Sequence, residues 1–313
     1  MPTLKVADLA YVRVRVPDLA RAEEFFTDFG LVRSDRTANA LYMRGTGSAH
    51  HVHVAELGDP KFVSLAFAAD SEADLHTLSQ LAGASAVEPL DEPGGGKRVR
   101  LVDPDGNQVE VVHGIASLQP IAHECLPLND AKQGLRRAGT LSRHTRRAAK
   151  VLRLGHAVLM SCDSPPMVTW YRETLGLLCS DEVVTPENEL ALSFNRVDRG
   201  DEYVDHHVLL VETGPKRGLN HVAYEVHDID DLMLGHDHLQ AKGYENVWGI
   251  GRHVYGAQIF DYWMDAWDFM YEHWTDTDRV NAEFRGVMDG TLDSANGPWG
   301  QAVPERFFLH AHD

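Results

Sequence analysis

The feature that most constrains this chain is that it repeats itself. Four segments follow one pattern: an alternating strand, an amphipathic helix closed by glycine, then further strands. The first runs through residues 9–16, passes Pro17 and Asp18, enters a helix ending at Gly30, and continues through 41–43 and 51–55. Pro17 suits a helix start and Gly30 a C-terminal cap. The third segment repeats the first at an offset of 146: Phe25-Phe26 falls on Tyr171-Arg172, Gly30-Leu31 on Gly176-Leu177, and Ser34-Asp35 on Ser180-Asp181. The second and fourth also match, with 61–66 set against 220–225, and 103–110 against 265–272 at an offset of 162. These matches predict an α+β chain of four βαβββ modules in two halves, 1–115 and 151–280, joined by a linker at 116–150 and followed by a tail at 281–313.

The linker carries Arg136, Arg137, Arg143, Arg146, Arg147 and Lys150, which read as one solvated face of a connecting helix. The tail has no clear period, yet Trp299, Val303, Phe307 and Phe308 require burial, so it is expected to wrap over a site. The chain has 313 residues, about two domains' worth, and a formal charge of −18, which excludes nucleic acid and anionic membrane as partners. No stretch approaches the roughly 18 apolar residues of a spanning helix, and the N-terminus alternates rather than forming a signal-peptide core. Cys125, Cys162 and Cys179 lack any CxxC spacing, which argues against a disulfide scaffold or thiolate zinc site and for the cytoplasm. Eighteen histidines against three cysteines point instead to nitrogen and oxygen ligands for any metal.

Three metal-competent residues stand in equivalent strand contexts of the second half: His156 in Leu-Gly-His-Ala-Val-Leu, His221 in Leu-Asn-His-Val-Ala-Tyr, and Glu272 in Phe-Met-Tyr-Glu-His-Trp. Strands of paired modules can bring these side chains together. Two imidazoles and one carboxylate form a facial triad that leaves half of an octahedral ion open, as non-haem Fe(II) chemistry requires. In the first half Phe62 takes the place of His221, only Leu9, Ala10 or Tyr11 can stand for His156, and Glu110 alone matches Glu272, so metal is expected in the second half alone.

These residues resemble the type I extradiol ring-cleaving dioxygenases of the vicinal oxygen chelate superfamily, the catechol 2,3-dioxygenase and homoprotocatechuate 2,3-dioxygenase group. The resemblance covers nearly the whole chain, including Gly-Lys-Arg-Val-Arg-Leu-Val-Asp-Pro-Asp-Gly-Asn-Gln-Val-Glu at 96–110, which is similar to the family's non-metal module. It implies that fold, Fe(2+) or Mn(2+) on His156, His221 and Glu272, and a homo-oligomer, dimer or tetramer. Catecholic small molecules and O2 are the partners it implies, with ring cleavage to a hydroxymuconic semialdehyde-type product in aromatic catabolism. The family's acid–base histidine falls on His206, fifteen residues before His221; a second active-site histidine falls on His253, and a tyrosine on Tyr262, ten residues before Glu272. His206 and His207, as strand neighbours, would point to opposite faces, and the family spacing selects His206.

Two departures stand out. The family's Asp-Pro-Xaa-Gly turn is kept at 103–106 but reads Asp-Ala-Trp-Asp at 265–268. The tail segment 297–304 is similar to the family's lid but lacks an adjacent arginine pair to grip a carboxylate, which disfavours carboxylated catechols. Two other functions use the same modules: a glyoxalase-like isomerase or transferase, which would not need His206, His253 and Tyr262, and a metal-free binding protein, which would lack the three ligands.

Overall fold

A computed structural model describes residues 2–123, 126–132, 134–286, 290–291 and 297–313; Cys125 lies outside them. Each alternating segment of the first half becomes a strand: β1 (Asp8–Val16), β2 (Val32–Arg36), β3 (Ala40–Arg44), β4 (His53–Leu57), β5 (Lys61–Ala68), β6 (Glu88–Pro89), β7 (Lys97–Val102) and β8 (Gln108–His113). Helix α1 (Leu19–Phe29) follows β1 and α2 (Glu72–Leu78) follows β5. The second half repeats the plan with β9 (Val151–Ser161), α3 (Ser164–Leu175), β10 (Leu178–Val184), β11 (Leu190–Arg196), β12 (Val204–Asp205) and β13 (Leu209–Thr213), then β14 (Gly218–Val226), α4 (Ile229–Lys242), β15 (Glu245–Arg252), β16 (Ile259–Met264) and β17 (Met270–Thr275). Two short strands complete it: β18 (Arg279–Val280) pairs with β12, and β19 (Gly290–Thr291) with β10.

Helices α1 and α3 end as the repeat predicts. Gly30 (φ 106°) and Gly176 (φ 72°) adopt the left-handed conformation that closes a helix without a Cβ clash. Asp18 caps α1 by accepting from the backbone N–H of Ala20 and Arg21. The first sheet has the order β2-β3-β4-β1-β5-β8-β7-β6 and the second β15-β16-β17-β14-β9-β13-β11-β10-β19. In each, two modules meet at a central antiparallel pair, β1 with β5 and β9 with β14. Helices bridge the halves: Phe25, Phe26 and Phe29 of α1 meet Tyr271 of β17, and Tyr171 of α3 meets Phe67 of β5. One apolar cluster therefore runs through both halves.

Strand register settles which first-half residues match the expected ligands. Ala66 lies opposite Tyr11 and Glu110, as Ala223 lies opposite His156 and Glu272. Counting back two residues from each alanine, Ser64 and not Phe62 is the counterpart of His221. A two-residue slip keeps every side chain on its own face, so alternation alone could not detect it.

The linker differs from expectation too. Among its described residues there is no helix, because Pro120, Pro127 and the left-handed Gly134 and Gly139 interrupt any run. Arg136, Arg143 and Arg146 are solvent-exposed there, while Arg147 folds back onto Asp231.

Candidate metal centre

The central strands β9 and β14 and the adjoining β17 carry His156, His221 and Glu272 to one point, where one ligand atom from each lies within 4.8 Å of the others. His156 Nε2 is 3.1 Å and His221 Nε2 3.3 Å from the same carboxylate oxygen, Glu272 Oε2. Bonds of about 2.1 Å to an octahedral ion would place cis ligands about 3 Å apart, so the spacing fits without rearrangement. His221 Nε2 and both oxygens of Glu272 are buried without hydrogen-bond partners. Orphaned buried atoms of this kind are costly unless something binds them, and a divalent cation satisfies all three.

The local sequence explains the placement. Gly155 sits beside Trp274, and a Cβ there would lie 2.3 Å from the indole, so glycine lets the buried Trp274 pack directly behind His156. Asn220 turns its Oδ1 to His221 Nδ1 at 2.7 Å, which leaves Nε2 to face the cluster. The substituted turn keeps its shape: Asp265 Oδ1 accepts from Trp267 and Phe269, as Asp103 Oδ1 accepts from Asp105 and Asn107. Asp268 (φ 66°) takes the left-handed position that Gly106 (φ 93°) holds in the first half.

Burial sets the protonation states a cation needs. It depresses the His221 imidazole to about 4, only partly opposed by Glu272, so that ring is a neutral donor. For Glu272, burial pushes the carboxyl up, but the adjacent His156 ring, with those of His221 and His253, outweighs it and holds the group well below the ordinary carboxylate range.

The ligand cluster opens onto a cavity lined by His207, His253, Tyr262, Gln258 and Glu212 among aliphatic and aromatic side chains. His253 Nε2 lies 2.9 Å from the Tyr262 hydroxyl and 3.8 Å from Glu272 Oε1. Burial, with Glu272 adding to it, keeps the Tyr262 phenol well above its usual range, so it stays a hydroxyl. His206 is placed differently from expectation. The chain leaves regular strand geometry after Asp205, so alternation does not govern the pair, and it is His207 that stands against the cavity, 4.3 Å ring to ring from His156. His206 lies behind, its Nδ1 3.1 Å from His207 Nδ1 and its Nε2 2.7 Å from Asp181 Oδ2.

Part of the tail covers the cavity, with Val303, Phe307 and Phe308 in its wall. Trp248 Nε1 donates to Gln301 O, and Asn220 Nδ2 donates to Phe307 O and His310 O. Near the site, Trp263 and Trp274 are fully buried and Trp267 is half-buried. Glu212 and the link from His207 through His206 to Asp181 were not read from the sequence; an acidic residue directly after the apolar run 208–211 was the available signal for Glu212.

In the first half the equivalent place holds no ligand set. Glu110 accepts from the hydroxyls of Tyr11 (2.5 Å) and Ser64 (3.0 Å), with the buried Arg13 3.7 Å away. Two guanidiniums, Arg13 and Arg98, the Gln108 amide and two hydroxyls there satisfy the carboxylate that histidines accompany in the second half.

Residues 8–111 and 153–284 match the family described as the Glyoxalase/Bleomycin resistance protein/Dioxygenase superfamily. The chain is 29% identical over 309 residues to Metapyrocatechase 2 of Cupriavidus necator, covering 98% of this chain and 92% of that protein. It superposes on the Mn(II)-bound glyoxalase from Novosphingobium aromaticivorans with a TM-score of 0.79 at 27% identity, covering 98% and 95% of the two chains. With homoprotocatechuate 2,3-dioxygenase from Brevibacterium fuscum the TM-score is 0.82 at 20% identity over 99% and 94%, a likeness of fold. With both halves matched and the paired βαβββ plan shared, this chain belongs to the Glyoxalase/Bleomycin resistance protein/Dioxygenase superfamily.

Proposed function

We propose that this protein is an extradiol dioxygenase that opens the ring of a catechol with O2, using Fe(2+) or Mn(2+) held by His156, His221 and Glu272. The observation that carries this reading is the convergence of one ligand atom each from His156, His221 and Glu272, those of His221 and Glu272 left without hydrogen-bond partners, on a cavity that also presents His207, His253 and Tyr262. Likeness to Metapyrocatechase 2 across nearly the whole chain supports it. A bound divalent ion would chelate the two catechol oxygens, stabilise their ionised form and bring O2 beside the ring.

The chain's own residues supply the rest. Tyr262 and His253, already hydrogen-bonded to each other, are placed to hold a substrate oxygen. His207 is our choice for the proton-transferring group in place of His206, because its ring is the one beside His156 on the cavity wall. The Asp181 carboxylate accepts from His206 Nε2, which leaves His206 Nδ1 to accept from His207 Nδ1 and His207 Nε2 free to take or give a proton at substrate. Val303, Phe307 and Phe308 exclude water from the reacting ring.

A second reading, a glyoxalase-type isomerase, draws on the likeness to the Novosphingobium aromaticivorans protein. One experiment separates the two: protein loaded anaerobically with one equivalent of Fe(2+) or Mn(2+) is mixed with catechol in air. Oxygen uptake with a yellow product supports ring cleavage, and Glu272→Gln should lose both the metal and the uptake. An absence of uptake with every catechol tried would remove the dioxygenase reading.

A further inference from the structure

We infer that Glu212 selects the substrate, and that this pocket takes catechols carrying an aliphatic amine at the end of a short arm, whose ammonium meets the Glu212 carboxylate. The inference rests on the catechol reading above and adds the chemical class of the substituent.

Glu212 is 3% exposed and lines the same cavity as the ligand cluster. On β13 it pairs with Met160 of β9, two residues beyond Val158, the partner of His221, and four beyond His156. At about 3.3 Å per residue that is roughly 7–13 Å up the strand from the ligand positions, the span of a catechol ring with a short arm. Around it the wall is apolar: Val158, Leu192, Leu210 and Phe307. Among the described residues no lysine or arginine lines the cavity, so no built-in cation answers this carboxyl and none is offered to a substrate anion. The other carboxylate, Glu272, is committed to the ligand cluster.

Glu212 is not needed as a structural partner. Among the described residues its hydrogen-bonding neighbour, Asn220 Nδ2 at 3.4 Å, already donates to Phe307 O and His310 O at 3.0 Å each, which uses both of its hydrogens. Burial alone pushes the Glu212 carboxyl up to about 8, and an ammonium brought beside it would favour the carboxylate and reverse that shift. Trp248, Tyr255 and Phe194 add aromatic surface to the cavity wall. The charge of −18 on the whole chain favours approach of cations over anions.

The test compares three catechols with short arms, 4-(2-aminoethyl)catechol, 4-ethylcatechol and 4-(carboxymethyl)catechol. Anaerobic calorimetry on metal-loaded protein reads binding, and oxygen uptake reads ring opening. Wild type should favour the amine over the ethyl compound by about 10- to 100-fold in Kd and kcat/KM, and disfavour the carboxylate. Glu212→Leu should collapse the amine-to-ethyl ratio towards one. Glu212→Gln, which keeps shape and hydrogen bonding, should lose most of the ratio and guards against a folding defect, with metal content and Tm checked for both. An amine bound no better than the ethyl compound by wild type, or a ratio unmoved in both variants, overturns the inference. Amine preference in binding without ring opening would instead overturn the dioxygenase reading and leave the specificity assignment standing.

Discussion

At the scale of single residues, the neighbours His206 and His207 differ through one chain of hydrogen bonds. His207 touches His156 and the cavity; His206 touches His207 and Asp181. If His207 moves the proton, His207→Asn should lower kcat by about 100-fold or more while metal content holds. Asp181→Asn should lower kcat by about 10-fold with KM little changed, because it disturbs only the tautomer that His206 imposes. Steady-state kinetics with metal analysis checks both, and a larger loss in His206→Asn than in His207→Asn would return the role to His206. The three residues His156, His221 and Glu272 could be read from the sequence because each stands within a strand that the repeat places in a matching context, even though β14 bulges against β9 beside His221. The histidine pair could not, since it lies in the connection between β12 and β13 where no period applies.

At the scale of elements, β14 ties the ligand cluster to the tail. Asn220 alone holds His221 Nδ1 through its Oδ1 and the carbonyls of Phe307 and His310 through its Nδ2. Leu219 and His312 add a pair of backbone hydrogen bonds beside it. Asn220→Ala should therefore weaken Mn(2+) affinity by about 10- to 100-fold, the usual effect of losing a group that orients a ligand histidine. It should also open the tail to limited proteolysis near residues 303–310, since two buried carbonyls lose their donor. Metal titration and timed digestion read the two effects separately, and unchanged affinity would mean that the strand alone orients His221. The tail's apolar residues announced that it must be buried, but nothing in its sequence specified Asn220 as the anchor, because that contact joins positions almost ninety residues apart.

At the scale of the whole molecule, the two halves show how one plan can keep or lose a metal. The βαβββ repeat was legible because helix ends and strand alternation recur at fixed offsets, whereas the pairing of Ser64 with His221 needed the register. Arg13 has become the buried cation shared by Glu110, Glu92 and Glu56, so Arg13→Met, which removes it from all three carboxylates, should cost about 3–5 kcal/mol in denaturant unfolding without changing metal content. The junction of the halves makes a different demand. His53 of β4 packs at a tilt against Phe26, hydrogen-bonds Tyr224 of β14 at 2.8 Å, and is fully buried, which depresses its imidazole to about 3. His51 is depressed to about 3 as well, by burial first and then by the charges of His50 and Arg13. Above pH 6.5 both rings are neutral whether the chain is folded or not, and they make no difference to stability. As pH falls below 6.5 the unfolded chain takes up protons that the folded chain refuses until about pH 3, so stability declines across that window. Between pH 6.5 and 5.5 each ring should cost about 1 kcal/mol. Tm measured on metal-free protein should drop by several degrees over that unit of pH. The slope should flatten in His53→Gln, which keeps a hydrogen-bonding group near Tyr224 but cannot titrate; a wild-type Tm that stays level from pH 6.5 to 5.5 would mean that these rings are already protonated in the fold.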